Sequence, residues 1–320
     1  MILMGNRTAV EFLLRKGANP NGGKGLTPLS CIIHRDDSQS DYKNTEIIQS
    51  LKQYGADFTN IKNYDNSKES LLFTAVCLSK KGLVEYLLSN AVGVEVQTES
   101  YMTLPRDNMI SQITPLHMAA FLGYSPTIVE QLLVSGANPL KADSYGNTAL
   151  HLVAYPDPRY MSALPPGSHL TQNERGTRIV SFQKKRDEML NAVIIKSEGR
   201  RGCIMELLIK RVPDPSLLNT CVNHEGDTIL HKAVCNRDAN VMNSVKLMVR
   251  QLIVAGASAT ILNKAGKTAY ELASDEIKHV IDKAKKVTKT SLNDKDHHKF
   301  FKTNNIQEQE GSNLGRSLLN

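Results

Sequence analysis

Apolar residues in the middle of this chain fall into two short helical sets, and then the pattern starts again. From Thr114 the first set is Leu116, Ala119 and Ala120, spaced for a short helix that Gly123 ends. The second set is Ile128, Val129, Leu132 and Leu133, at i, i+1, i+4 and i+5, which predicts a second helix. Gly136 closes it, because glycine takes a left-handed backbone at least cost. "ADSYGN" then reads as a turn, and "TALHLVAY" from Thr148 repeats the opening. One helix pair cannot bury its apolar faces alone, so a chain of such units must stack them.

The same frame recurs elsewhere. Its opening position holds Thr27, Ser70, Thr114, Thr148, Thr228 and Thr268. The closing Gly-Ala recurs as Gly17-Ala18, Gly55-Ala56, Gly136-Ala137 and Gly256-Ala257. The turn recurs as "DSYGNT" from Asp143, "NHEGDT" from Asn223 and "NKAGKT" from Asn263. This combination, with "TPLHMAA" at Thr114, resembles the ankyrin repeat over roughly residues 6–285. The resemblance implies an all-α solenoid of stacked helix-turn-helix units with inter-repeat hairpin turns. We place it at residues 1–286, with 287–320 as a flexible polar tail.

The frame is irregular. Gaps between opening positions are 43, 44, 34, 80 and 40 residues. The longest contains an insertion at about 156–201, after which "CIMELLIKRV" supplies the second helix through Ile204, Leu207 and Leu208. The insertion's Pro- and Gly-rich first part predicts a loop, and "IVSFQKKRDEMLNAVIIK" predicts an extra helix. Two readings stay open: a functional element on the binding face, or a loop tolerated because length costs little closure entropy. At the N-terminus "NRTAVEFLLRKGANPN" reads as a second helix without its first. Val10, Leu13 and Leu14 then need cover from "MILM", from upstream sequence or from another surface.

Composition changes the picture mainly at the C-terminus. The formal net charge is +7, and eight Lys against three Asp between Lys278 and Lys302 carry most of it. Such a segment suits acidic partners; no nucleic-acid-binding module accompanies it, which disfavours nucleic acid, while an anionic membrane surface remains a minor alternative. Five scattered cysteines without a CxxC pair read as thiols of a reducing compartment, which points to the cytoplasm. No secretory signal peptide or membrane-spanning apolar run is expected. His117, His151 and His231 share one position in the frame, and a residue recurring with the scaffold period reads as structural. In the ankyrin family this His makes hydrogen bonds near the turn. "GGKGLT" lacks the phosphate-loop spacing, and His297 and His298 lack a third ligand, so no cofactor or metal is expected. No catalytic constellation is visible, which reads as no enzyme.

The resemblance implies protein recognition, with partners met by positions beside the turn Gly and after the first helix. Carried onto this chain, these are Ser144, Tyr145, Asn147, His224, Glu225, Asp227, Lys264, Ala265 and Lys267, with Phe121, Leu122, Tyr155, Cys235 and Asn236. Phe121, Tyr145 and Tyr155 are expected to point outward around one junction, with Phe121 and Tyr155 side by side. Tyr155 packing under the insertion is the other option. Irregular repeats and the polar end "IQEQEGSNLGRSLLN" resemble ankyrin effectors of intracellular bacteria such as Legionella, whose C-terminal type IV secretion signals deliver them into the host cytoplasm. That would make the partner a host protein. An ordinary cytoplasmic adaptor, or an effector whose insertion carries an unrecognised activity, stays open beside it.

Overall fold

Short helices with apolar faces pack as pairs along the chain. The computed structural model describes residues 6–22, 27–33, 41–58, 61–62, 68–90, 93–94, 111–157, 159–160, 197, 199–236 and 241–291. Its helices are α1 (Arg7–Arg15), α2 (Pro28–Ile33), α3 (Asp41–Gln53), α4 (Leu71–Cys77), α5 (Lys81–Ser89), α6 (Pro115–Leu122), α7 (Pro126–Val134) and α8 (Ala149–Ala154). They continue as α9 (Arg200–Ile209), α10 (Leu217–Thr220), α11 (Ile229–Cys235), α12 (Met242–Val254), α13 (Ala269–Leu272) and α14 (Asp275–Ser291). The described residues are otherwise turns and connections, apart from an antiparallel pair of two-residue strands, β1 (Ile61–Lys62) and β2 (Lys68–Glu69).

The helices form two layers. First helices touch in the order α2, α4, α6, α8, α11, α13, and second helices in the order α1, α3, α5, α7, α9, α12, α14. The layers join within each pair, as α6 meets α7, α8 meets α9 and α11 meets α12. Helices α4, α6 and α8 are buried along their whole length, which explains why their sequences are apolar on every side. The second helices are amphipathic; α7 buries Ile128, Val129, Leu132 and Leu133, the four positions read from the periodicity.

Two boundaries differ from expectation. Helix α9 starts at Arg200, so Arg201 belongs to a helix and not to the insertion, and Met205 is buried where Leu207 is only half-buried. Helix α14 runs past the expected end near Lys286 to Ser291, held by Ile277, Ile281 and Ala284 packed inward. The extra helix expected at 179–196, the leading "MILM" and the tail beyond Ser291 lie outside the described residues.

Leu13 shows what stacking does. It sits four residues before its closing Gly17, as Leu51, Leu132 and Leu252 sit before Gly55, Gly136 and Gly256. Those three leucines are at most 1% exposed, whereas Leu13 is 41% exposed in the first described helix. Burial at this position therefore comes from the neighbouring unit and not from the helix itself.

The turns between pairs impose a sharper constraint. Gly146, Gly226 and Gly266 all have positive φ, at 76°, 73° and 68°. A Cβ on Gly226 would lie 2.8 Å from the Lys264 amide nitrogen of the next turn, and one on Gly146 would lie 3.0 Å from the Asn223 Cα. A Cβ on Gly266 would meet nothing within 4 Å. Gly266→Ala should cost only the left-handed backbone strain, about 1–2 kcal/mol. Gly226→Ala should cost more, because it also pushes two main chains apart. Denaturant midpoints of the two variants measure this, and equal losses would show that the turns do not abut.

Candidate functional site

The three turns at Asp143, Asn223 and Asn263 share one geometry, and side-chain chemistry builds each one. Asp143 Oδ1 accepts the amides of Tyr145 and Asn147, both at 2.9 Å. Asn223 Oδ1 does the same for Glu225 and Asp227, and Asn263 Oδ1 for Ala265 and Lys267, all at 3.0 Å. An Asx side chain thus replaces the missing backbone acceptors of the turn. Each tip then bonds to the next through main chain: Ser144 N–H donates to Ser111 O at 3.1 Å, His224 N–H to Tyr145 O at 2.8 Å, and Lys264 N–H to Glu225 O at 3.1 Å. Side chains repeat the link, with Asn223 Nδ2 donating to Asn147 Oδ1 at 3.1 Å and Asn263 Nδ2 to Asp227 Oδ1 at 2.7 Å.

The recurring histidines fix the tips to the helices behind them. Thr114 N–H donates to His117 Nδ1 at 3.1 Å, and the Thr148–His151 and Thr228–His231 pairs do the same at 3.2 Å. Nδ1 is therefore an acceptor and the proton sits on Nε2. That Nε2–H donates to the last carbonyl of the following turn: Asn147 O at 3.1 Å, Asp227 O at 3.2 Å and Lys267 O at 3.1 Å. The structural reading of these histidines thus matches the geometry. Thr268 uses Glu271 in place of His, and its backbone N–H donates to Glu271 Oε2 at 2.8 Å. A carboxylate closes that cap but has no N–H for a further turn.

The expected contact residues divide sharply. His224, Glu225, Cys235, Lys264, Ala265 and Lys267 are exposed, and Ser144, Tyr145 and Tyr155 are half-buried. Phe121, Leu122, Asn147, Asp227 and Asn236 are buried, which corrects the expectation that they face outward. The reason differs by residue. Asn147 and Asp227 are used up in bonding between tips. Phe121 is covered by the start of the insertion: its ring stacks on Tyr160, with centroids 5.6 Å apart. Leu122 ends the fully buried helix α6.

The first residues of the insertion fold back over the Asp143 turn. Tyr160 is fully buried and its hydroxyl donates to Asp143 Oδ2. Burial pushes the Asp143 carboxyl up to about 6, against the opposing pull of the Tyr145 and Asn147 amides. Arg159 pairs with Asp157 and lies over the Tyr145 ring, 4.3 Å from its centroid. Across the junction, Lys232 Nζ reaches Glu225 Oε2 at 2.5 Å and Asp227 Oδ2 at 3.4 Å. Sequence reasoning missed Tyr160, Arg159 and Lys232, because none recurs with the repeat; the "PDPRY" aromatic in a loop-like stretch was the available signal.

It also missed Arg201, which is 1% exposed. Its Nη2–H donates to Phe121 O at 2.7 Å, its Nη1–H to Leu152 O and Val153 O at 3.3 and 3.2 Å, and its Nε–H to Ser197 Oγ at 2.7 Å. These carbonyls close α6 and α8, where helices lack intrahelical donors and carry partial negative charge. Burial lowers the guanidinium to about 10, which leaves it charged at neutral pH. Gly123 makes room for it: a Cβ there would lie 3.3 Å from both Cγ and Cζ of Arg201.

Among the described residues, no group of three His, Cys, Asp or Glu side chains is placed to hold a metal, and no helix is long and apolar enough to cross a membrane.

The clamp that His151 forms between the Thr148 cap and the Asp227 carbonyl carries a pH signature. Burial pushes His151 down to about 4 from 6.5. Its stabilising contribution is complete above pH 6.5 and is lost as pH falls towards 4, where the unfolded chain takes a proton that the folded chain refuses. The full effect is on the order of 3 kcal/mol. The His151 ring resonances in an NMR titration should stay those of the neutral Nε2–H form down to about pH 4. A midpoint at the ordinary imidazole value would contradict the clamp.

One comparison bears on identity. The family model of the ankyrin repeat matches residues 111–144, the stretch from the Ser111 carbonyl through α6 and α7 to the start of the Asp143 turn. That match supports an ankyrin repeat protein, and with it a module of protein–protein interaction.

Proposed function

We propose that this chain is a non-enzymatic recognition scaffold, an ankyrin solenoid that binds a partner protein along its tip row and the adjoining concave face. The observation that carries this reading is the backbone ladder through Ser111, Ser144, Tyr145, His224, Glu225 and Lys264, with exposed side chains of His224, Glu225, Lys264 and Lys267 set on it. A surface fixed before binding loses little entropy when it is covered, so few contacts suffice. Tyr145, sandwiched near Arg159 and His224, adds a half-buried aromatic to that surface.

The partner in this reading is a host protein, and the chain an effector delivered into host cytoplasm by a type IV secretion pathway. Irregular repeat spacing, the long insertion and the polar end with Glu308, Glu310, Leu318 and Leu319 support it. The test is affinity capture from animal-cell and bacterial lysates, using the parent chain and the His224→Ala/Lys264→Glu/Lys267→Glu variant. A protein retained from the animal lysate by the parent and lost by an equally folded variant is the expected result. Identical captures by both chains would move the binding site elsewhere, and a partner found only in the bacterial lysate would overturn the effector reading.

A further inference from the structure

The ladder of tips ends on an open rung. Tyr145 O is filled by the His224 amide and Glu225 O by the Lys264 amide. The next carbonyl in register is Ala265 O, and no donor among the described residues reaches it. The space beyond is open too, since a Cβ on Gly266 would meet nothing where the equivalent atoms on Gly146 and Gly226 would strike the following tip.

The side chains around this rung have a definite chemistry. Leu262 is 62% exposed at the base of the tip, where its backbone pairs with Thr268, and Val222 is 44% exposed at the same position one tip earlier. Lys264 and Lys267 are exposed on the tip itself. The neighbouring acids are already engaged, Glu225 and Asp227 by Lys232 and Glu271 by the Thr268 cap. The last described tip therefore presents a backbone acceptor, an apolar side chain and two positive charges.

We propose that this end of the row docks an extended, acidic segment of a partner protein. Its backbone N–H would donate to Ala265 O, an apolar side chain would rest on Leu262, and Asp or Glu would meet Lys264 and Lys267. The single main-chain bond would set the register of the segment, because the tip's own amides are already taken, and the side-chain contacts would give selection. A DNA backbone offers no donor for the carbonyl, an RNA backbone offers its 2′-hydroxyl but no apolar group for Leu262, and a second copy of the same edge would set lysine against lysine. The inference rests on the protein-recognition reading and narrows it to one edge and one ligand chemistry.

Panning a random 12-residue displayed peptide library on the immobilised full chain tests it. Enriched peptides should combine Asp or Glu with Leu, Ile, Val or Phe. Their affinity should fall at least tenfold in Lys264→Glu/Lys267→Glu and in Leu262→Ser, and stay within twofold in Val134→Ser, an exposed position on α7 outside the tip row, with circular dichroism unchanged throughout. Added salt should weaken the parent complex and leave little to weaken in the double-charge variant. Basic or uncharged winners, or winners indifferent to these substitutions, would overturn the edge proposal while leaving protein recognition in place. No enrichment at all would also overturn it, and the lysate capture above would then decide the broader reading separately. A tenfold gain in peptide affinity on deleting residues 303–320 would show that the chain's own tail, and not a partner, fills the rung.

Discussion

One carbonyl at the end of each turn holds two units together. Asn147 O, Asp227 O and Lys267 O each accept an amide from their own Asx residue, at 2.9, 3.1 and 2.9 Å, and a histidine Nε2–H from the first helix of the preceding unit. The same histidine accepts the Thr amide that starts its helix. Cap, turn and neighbour are therefore linked through a single buried imidazole. Removing the ring strands a buried donor and leaves a carbonyl half-satisfied, a loss that costs more than the bond itself contributes. This linkage is why Thr, His and Asx recur together; in the last described unit Glu271 takes the His place in the cap.

The long insertion between α8 and α9 leaves this linkage intact. His151 still reaches Asp227, and the His224 amide still reaches Tyr145 O, across the whole insertion. Two anchors make that possible. Tyr160 pins the departing chain on Phe121 and Asp143, and Arg201 pins the returning helix on the carbonyl ends of α6 and α8. A buried guanidinium is costly to desolvate, and here helix-end carbonyls supply the compensating charge. With both ends fixed, extra residues between them add closure entropy only slowly.

The repeating part of the architecture was legible in the residues. Thr anchors, Gly-Ala closes and Asx-x-x-Gly turns marked the units, and apolar spacing located α7 and the second helix after the insertion. Contacts made once were not legible. Nothing in the frame distinguishes Phe121 from the exposed Cys235 at the same position; Phe121 stacks on Tyr160, which stands outside the frame. Asn147 and Asp227 misled for a different reason. They stand beside the turn Gly as contact residues do, yet their side chains face the adjoining tip.

Recognition in this account depends on the tips being one rigid row and not separate loops. Native-state hydrogen exchange at the His224 and Lys264 amides tests that most directly, because both side chains are exposed while both amides are bonded to the preceding tip. Exchange at both amides should be slowed on the order of 100-fold or more relative to an unstructured chain. Exchange at the unstructured rate, in a protein whose helices remain protected, would contradict it.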